Sequence, residues 1–543
     1  MRRSRLAAGL LLGALSASCG STVATTGAEP RAGQNALAGS GDGLSAPAGS
    51  TVTADGSVVA PDGTTIAGPG SGASGGSSVS AGGSTSTGGG SGAGFAGGSG
   101  GTGGSGGVGS GGGSSGTTVR HAPGVTAKEI FIGLSYATDT EEANRAAGVN
   151  IDSGNPKANA EAIINDINKR GGVAGRKLVP VWHAFQATSA KTNATKDQEA
   201  CSTYTEDNKV FAVMGDGYTD TFRACMRKHG VLQLTAGQLY ADERDEMRAN
   251  PQLYNLIGAS QDRWFNSLVP ALVRQRYFDG WDFNLGAPAP GSKPVIAAIG
   301  FNSTMWTRPV PRTLLPALKR AGYDVRPENI VYITSPQGYS DQGPAVAEVQ
   351  NAVLRLRQNG VTHVLFLDTQ GGLTFVFAAG ARNQRYYPRY GVGSTSGLQG
   401  LFDAGNFTAK ELTGAAGLGW APSLDLPTAE GDTFATAATT RCLQVIKDGT
   451  GETYTSTNAA SIALGQCDEL NLLAYVVNRI PGSITFSSAR QVMGTIGSSF
   501  PTASLPRMVL GPGRQDGAEL GWDMYWDTPC ECVRYVGAAR PIR

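Results

Sequence analysis

Apolar residues recur along this chain with two periods. Ile130, Ile132 and Leu134 alternate with other residues, the pattern of a strand with one buried face. Ala160, Ile163, Ile164 and Ile167 follow at i, i+3, i+4 and i+7, one face of a helix, which Gly171-Gly172 then caps. Further strands are predicted at 178–182, 210–214, 231–234, 253–257, 295–299, 330–333, 363–367 and 390–393. Most are followed by helical patterns, as at 312–321, 345–359 and 373–382. Strands alternating with helices predict an α/β fold, with parallel sheets flanked by helices on both faces. About 420 residues follow Val125, more than one core usually covers, so two lobes are expected. A dinucleotide-binding reading would need a glycine fingerprint after the first strand, and Gly133-Leu134-Ser135-Tyr136-Ala137 lacks it.

The pattern is different before Val125. Residues 20–119 are mostly Gly, Ser, Thr and Ala, with Phe95 a rare aromatic. Such a stretch buries too little apolar surface to offset its ordering entropy, so a flexible tether is expected there. Gly70-Ser71-Gly72-Ala73-Ser74-Gly75 has the spacing GxGxxG, but no strand pattern precedes it and no helix pattern follows. At the N-terminus, Arg2, Arg3 and Arg5 precede a short apolar run from Leu6 to Leu15, only about half of what a bilayer span needs. Leu15-Ser16-Ala17-Ser18-Cys19 resembles a bacterial lipobox, with Ser16 where that pattern usually has Leu. The resemblance implies a signal peptide over 1–19, acylation of Cys19 and anchoring at the outer face of the cell membrane. The alternative is an ordinary secretory signal cut near Ser18, and either reading exports the chain.

Charge narrows the partners. The chain carries 44 Lys+Arg and 43 Asp+Glu, a formal net charge of +1. Removing residues 1–18 takes away three arginines and no acids, which leaves −2. That is no electrostatic footprint for nucleic acid. Six cysteines remain besides Cys19: Cys201, Cys225, Cys442, Cys467, Cys530 and Cys532. An even number in an exported chain reads as disulfides, and sequence locality favours Cys201–Cys225, Cys442–Cys467 and Cys530–Cys532 among about 15 pairings. The last would close a ring across one residue. No metal site and no cofactor is expected. His121, His183, His229 and His363 have no metal spacing, and Gly393-Ser394-Thr395-Ser396-Gly397 misses the esterase pattern because threonine holds the central place. The chain is not expected to be an enzyme.

Several segments resemble the branched-chain amino-acid type of periplasmic solute-binding protein. The strongest is Asn165-Asp166-Ile167-Asn168-Lys169-Arg170-Gly171-Gly172-Val173-Ala174-Gly175-Arg176-Lys177-Leu178, similar to that family's glycine-rich turn between first helix and second strand. Gly124 to Gly133 looks like the family's opening, 209–215 its third strand, 295–299 the first strand of its second lobe, and 521–527 its closing hairpin. The resemblance implies the type I periplasmic-binding fold over residues 120–543, two α/β lobes joined by three crossovers. Lobe one is expected over 125–258 and 401–479, lobe two over 259–400 and 480–543, with crossings near Gly258-Ala259-Ser260 and Gly397. It also places Cys201 and Cys225 on neighbouring helices flanking the strand at 210–214.

In open parallel sheets, ligands sit beyond the carboxyl ends of the strands. The loops there contain Tyr136 after the first strand, Asp216, Tyr218, Thr219 and Asp220 after the third, and Thr235 and Ala236 after the fourth. In the resembling family the last two loops hold a ligand carboxylate through hydroxyls and backbone N–H groups. Thr219, Thr235 and Ala236 stand in similar places, and Tyr218 offers a ring to stack on. Thr219 and Thr235 equally suit helix capping, and Asp216 and Asp220 argue against a simple carboxylate pocket. In the second lobe, Asn302 and Trp306 replace the family's usual aspartate and tyrosine. Trp306 offers either a flat ligand wall or core packing, Asp368 an ammonium acceptor or an N-cap, and Thr395 a further hydroxyl. The resemblance implies a monomer that captures an amino acid, amide or small organic acid and passes it to a membrane permease of an ABC importer. The alternative is a sensing receptor with the same fold and no permease.

Overall fold

The computed structural model describes residues 121–543 except 147–153, 216, 218, 237–239, 242, 369–370 and 455–458, together with 51–52, 58–59 and 65–67. The signal and Cys19 lie outside the described residues, as does most of the Gly/Ser-rich segment. Within that segment Thr51–Val52, Val58–Val59 and Thr65–Ala67 pair as a small antiparallel sheet, where β-branched residues interrupt the Gly/Ser composition. A tether without secondary structure over 20–119 is corrected to that extent.

The first large sheet contains β1 (Glu129–Ala137), β2 (Lys177–Phe185), β3 (Ala212–Met214), β4 (Leu232–Thr235) and β5 (Leu253–Asn255), all parallel, in the order β2-β1-β3-β4-β5. The second contains β6 (Ile296–Phe301), β7 (Ile330–Ile333), β8 (His363–Leu367), β9 (Arg389–Gly393) and β10 (Ala416–Gly419), followed by the antiparallel β11 (Leu520–Asp527) and β12 (Cys532–Pro541). Its order is β7-β6-β8-β9-β10-β11-β12. The first five strands of each sheet are therefore wound alike. Strand order reverses beside β1 in one and beside β6 in the other, which opens a crevice at their carboxyl ends.

Local chemistry builds the first unit. Ile130, Ile132 and Leu134 face the same core as Ile163, Ile164 and Ile167 of the helix Pro156–Lys169. After that helix the chain reverses through Gly171 and Gly172, with φ of +103° and +74°. A Cβ on Gly172 would sit 2.0 Å from the Arg176 carbonyl oxygen, so only glycine fits. Asn168 stitches the turn, its side chain accepting from Leu178 N at 2.8 Å and donating to Leu178 O at 2.9 Å.

The chain leaves the first sheet after Asn255, and the helix Gln261–Arg274 that follows packs on the second. A returning strand runs alongside this crossing. Asn255 N donates to Gln515 O, Gly517 N to Asn255 O and Ala518 N to Gly258 O. Asp516 and Arg263 are both buried and paired there, and the same carboxylate accepts from Ser260 N at 2.7 Å.

The other crossings differ from the expectation. β10 pairs with β9, so the chain stays with the second sheet beyond Gly397, through Gly419. The helices Ala437–Thr450 and Ser461–Val477 pack on Pro156–Lys169, and Phe486–Met493 packs on Ser461–Val477. The first lobe therefore takes up residues from about 437 to 510, and only β11 and β12 return to the second. β10 reads Ala-Gly-Leu-Gly, too small and too short for a strand pattern to reveal. The three disulfides join Cys201 to Cys225, Cys442 to Cys467 and Cys530 to Cys532. The first ties together the helices Asn193–Ser202 and Asp220–His229, and the last closes the β11–β12 turn around Glu531, whose φ is +52°.

Candidate functional site

The carboxyl ends of β1 to β4 form one edge of the crevice. Tyr136, half-buried, meets Trp182 edge-on with ring centroids 5.8 Å apart. The Lys157 ammonium lies 5.1 Å from the Trp182 ring centroid and pairs with Glu161, which raises its pKa. Asp139 binds the β1 and β2 loops together, accepting from Ala187 N at 2.6 Å, Thr188 N at 3.0 Å and Thr188 Oγ1 at 2.6 Å. Burial alone would raise its pKa, but these hydrogen bonds outweigh burial and hold it below the usual value. Lys196 is buried next to it and donates to Ala187 O at 3.0 Å; burial lowers its pKa while Asp139 opposes that.

Asp216 and Tyr218 lie outside the described residues. Thr219 caps the helix Asp220–His229, accepting from Thr221 N at 3.1 Å. Its own hydroxyl and backbone N–H both donate to Asp197 Oδ2, each at 2.6 Å. Thr235 is buried at the end of β4, and its carbonyl accepts from Leu256 N at 2.7 Å. Ala236 N donates to Glu469 Oε1 at 2.7 Å, from the helix Ser461–Val477. The donors of Thr219 and Ala236, assigned by resemblance to a ligand carboxylate, thus hold carboxyl groups of the chain itself.

On the opposite edge, Asn302 is exposed and its backbone N–H is anchored to Ile333 O at 2.7 Å. Trp306 forms no ligand wall. It is buried against Trp264 and Phe265, at 5.9 and 6.5 Å between centroids, because an indole on the short helix Thr304–Thr307 turns into the core. Asp368 is fully buried and accepts from Thr374 N and Oγ1 at 2.8 and 2.9 Å, in the first turn of the helix Gly372–Asn383, whose N-cap is Gly371. Thr395 is buried, and its hydroxyl has no hydrogen-bond partner among the described residues.

Sequence reasoning missed a network behind Thr395. Ser394 Oγ donates to Asp425 Oδ2 at 2.5 Å and accepts from Trp420 N at 2.7 Å, while the Tyr535 hydroxyl donates to the same carboxyl oxygen. Burial pushes the Asp425 pKa up to about 6, against the lowering effect of these donors. The Trp420 indole N–H reaches Ile257 O at 3.0 Å, in the first crossing. Gly419 was the available signal, since a Cβ there would lie 2.3 Å from the Tyr535 ring.

The two edges touch. Asn193, beyond β2, donates from its backbone N–H to Gln337 O, beyond β7, at 2.7 Å. Arg308 and Arg312, beyond β6, pair with Glu243 at 2.5 and 3.2 Å, and Arg308 also reaches Glu246 at 2.5 Å. Away from the strand ends, a mostly apolar cavity of about 620 Å³ lies between Pro156–Lys169, Ala437–Thr450 and Ser461–Val477, lined by Ile163, Cys442, Cys467 and Tyr475. Its lining also carries Asp166, which pairs with Arg170 at 2.9 Å and with Arg441 at 2.8 Å.

No protein-family model matches the sequence, and no curated protein matches it. Solved structures do match in shape. A "possible leucine/isoleucine/valine-binding protein" from Rhodopirellula baltica has a TM-score of 0.51 at 14% identity, covering 76% of this chain and 97% of that one. A fatty acid ABC transporter substrate-binding protein from Thermomonospora curvata has a TM-score of 0.51 at 14% identity, covering 78% and 95%. An ABC transporter solute-binding protein from R. palustris, in complex with 4-hydroxybenzoate, has a TM-score of 0.52 at 10% identity, covering 76% and 98%. The chain therefore has the two-lobed type I periplasmic-binding fold, and its structural neighbours are binding proteins.

Proposed function

We propose that this chain is an extracytoplasmic solute-binding protein that captures a small polar ligand between its lobes, without turnover, and presents it to the membrane permease of an ABC importer. One observation carries the reading: segments following the strand carboxyl ends of two similarly wound sheets meet across a common crevice, at Asn193–Gln337 and at Glu243–Arg308. A ligand touching both edges stabilises the closed form by its differential affinity for it. Tyr136, Asn302 and Thr395 are the proposed contacts, joined on sequence grounds by Tyr218. Thr219, Thr235, Ala236 and Asp368 hold the loops that present them. A lipid on Cys19 anchors the chain, and incorporation of labelled palmitate that Cys19→Ser abolishes is the expected sign of it.

Thermal melting of the purified chain against a panel of amino acids, amides and small organic acids tests the binding role. At a hundredfold excess over Kd, a true ligand contributes about 2.7 kcal/mol of stability. Small-angle scattering should show no expansion on binding. Turnover of the stabilising compound would replace this reading with an enzymatic one.

A further inference from the structure

Resting on the solute-binding reading, we infer that the first lobe's edge of the crevice rejects a ligand carboxylate and takes a polar head group without negative charge, an amide or an amine. A carboxylate needs free N–H or hydroxyl donors, and helix starts at strand ends are where a parallel sheet supplies them. Here the donors of Thr219 and Ala236 are taken from inside. Asp197 Oδ2 takes both the N–H and the hydroxyl of Thr219, and Glu469 Oε1 takes the N–H of Ala236. Asp197 and Glu469 are 1% and 5% exposed, so they are built into the fold and do not swing in from solvent. A Cβ on Gly465 would lie 2.9 Å from Ala236 O, so the helix carrying Glu469 is seated directly on this loop. A ligand carboxylate would have to displace a buried carboxyl group from these donors, which is costly.

The acidic side chains next to these loops are likewise engaged within the chain. Asp139 is bound at the end of β1 by three donors, and Asp220, exposed at the start of the helix that Thr219 caps, pairs with Arg223 at 3.6 Å. The buried Lys196 ammonium donates to Ala187 O at 3.0 Å, next to Asp139.

The test compares matched probes by thermal melting and titration calorimetry on the purified chain: leucine with leucinamide, and benzoate with benzamide and benzylamine. The amide or amine member of a pair is expected to bind about tenfold tighter than its acid, or more. An acid that binds as tightly as its amide overturns the inference and leaves the solute-binding reading standing. If no member of either set binds, the inference fails, and the wider panel alone decides the solute-binding reading. Asp197→Ala, which frees the Thr219 donors, should gain benzoate binding that the parent chain lacks. A folded Asp197→Ala protein that still ignores benzoate overturns the role given to Asp197.

Discussion

Asp425 shows what one residue can do that no local pattern announces. Ser394 is legible in the sequence only as a member of a failed esterase motif, yet its hydroxyl is committed to Asp425, 31 positions away, and Tyr535 joins Asp425 from 110 positions away. Contacts at such separations come from topology, which periodicity does not encode. Their consequence is a titration. The Asp425 pKa is about 6 in the fold, against 3.8 for an ordinary aspartate. The folded state therefore holds a proton that the unfolded state has released through the interval between those values. The stability that this proton contributes is complete below about pH 4 and is lost as pH rises through about 6. Asp425→Asn keeps a carbonyl acceptor for Ser394 and Tyr535 and carries no charge at any pH. Urea unfolding across this range should show the parent losing on the order of 2–3 kcal/mol relative to Asp425→Asn. Parallel curves would mean that Asp425 is ionised throughout. The same scale explains the site residues that the structure reassigns. Trp306 and Asp368 each allowed two readings in the sequence; burial selected the core for Trp306, while Asp368 is buried on Thr374 in the first turn of a helix whose N-cap is Gly371.

At the scale of elements, most of the fold was legible because alternation and helical period are strong where a strand or helix buries apolar side chains. β1 and the helix after it were read from Ile130 to Ile167, and both contribute to one core. β10 was not readable, because it has small residues where a strand pattern needs branched ones, and the misplaced second crossing followed from that. Its glycines have a steric reason. A Cβ on Gly417 would lie 1.9 Å from the Val392 carbonyl oxygen, in the backbone of the neighbouring strand. Gly417→Ala should cost about 1–3 kcal/mol, since backbone cannot yield as a side chain can. Gly380, inside the helix Gly372–Asn383, is the control. Its nearest neighbour is the Val353 side chain at 3.5 Å, an ordinary contact. Gly380→Ala should be neutral or stabilise by up to about 1 kcal/mol through helix propensity. Chemical denaturation of both variants checks the contrast, and equal losses would mean that the β9–β10 approach is looser than these distances state.

For the whole molecule, the question is what holds the two sheets at this separation. The two crossing segments joined by Arg263 and Asp516 fix where the lobes pivot, but not how far they open. The distant contact is electrostatic. Glu243, nearly buried, receives Arg308 and Arg312, and Arg308 is shared with Glu246. Nothing local in the sequence couples residues more than sixty positions apart, so this contact becomes visible only once the strand ends face each other. An ion cluster bridging the mouth stabilises the closed form without touching the ligand. Removing it should therefore leave each lobe folded and shift the pair toward opening. Ligand affinity then falls by the fraction of closed form lost, since opening reduces the binding-competent population. Arg308 is about a third exposed and partly screened, so about 1 kcal/mol is a fair scale, which corresponds to roughly fivefold in Kd. Arg308→Ala should show a larger radius of gyration by small-angle scattering, with an unchanged far-ultraviolet circular dichroism spectrum. Raising salt should weaken the parent chain toward the variant, because screening reduces the cluster and leaves apolar contacts in place. A variant with the parent's radius and salt response would show that the apolar and backbone contacts, Asn193–Gln337 among them, hold the crevice shut without help from charge.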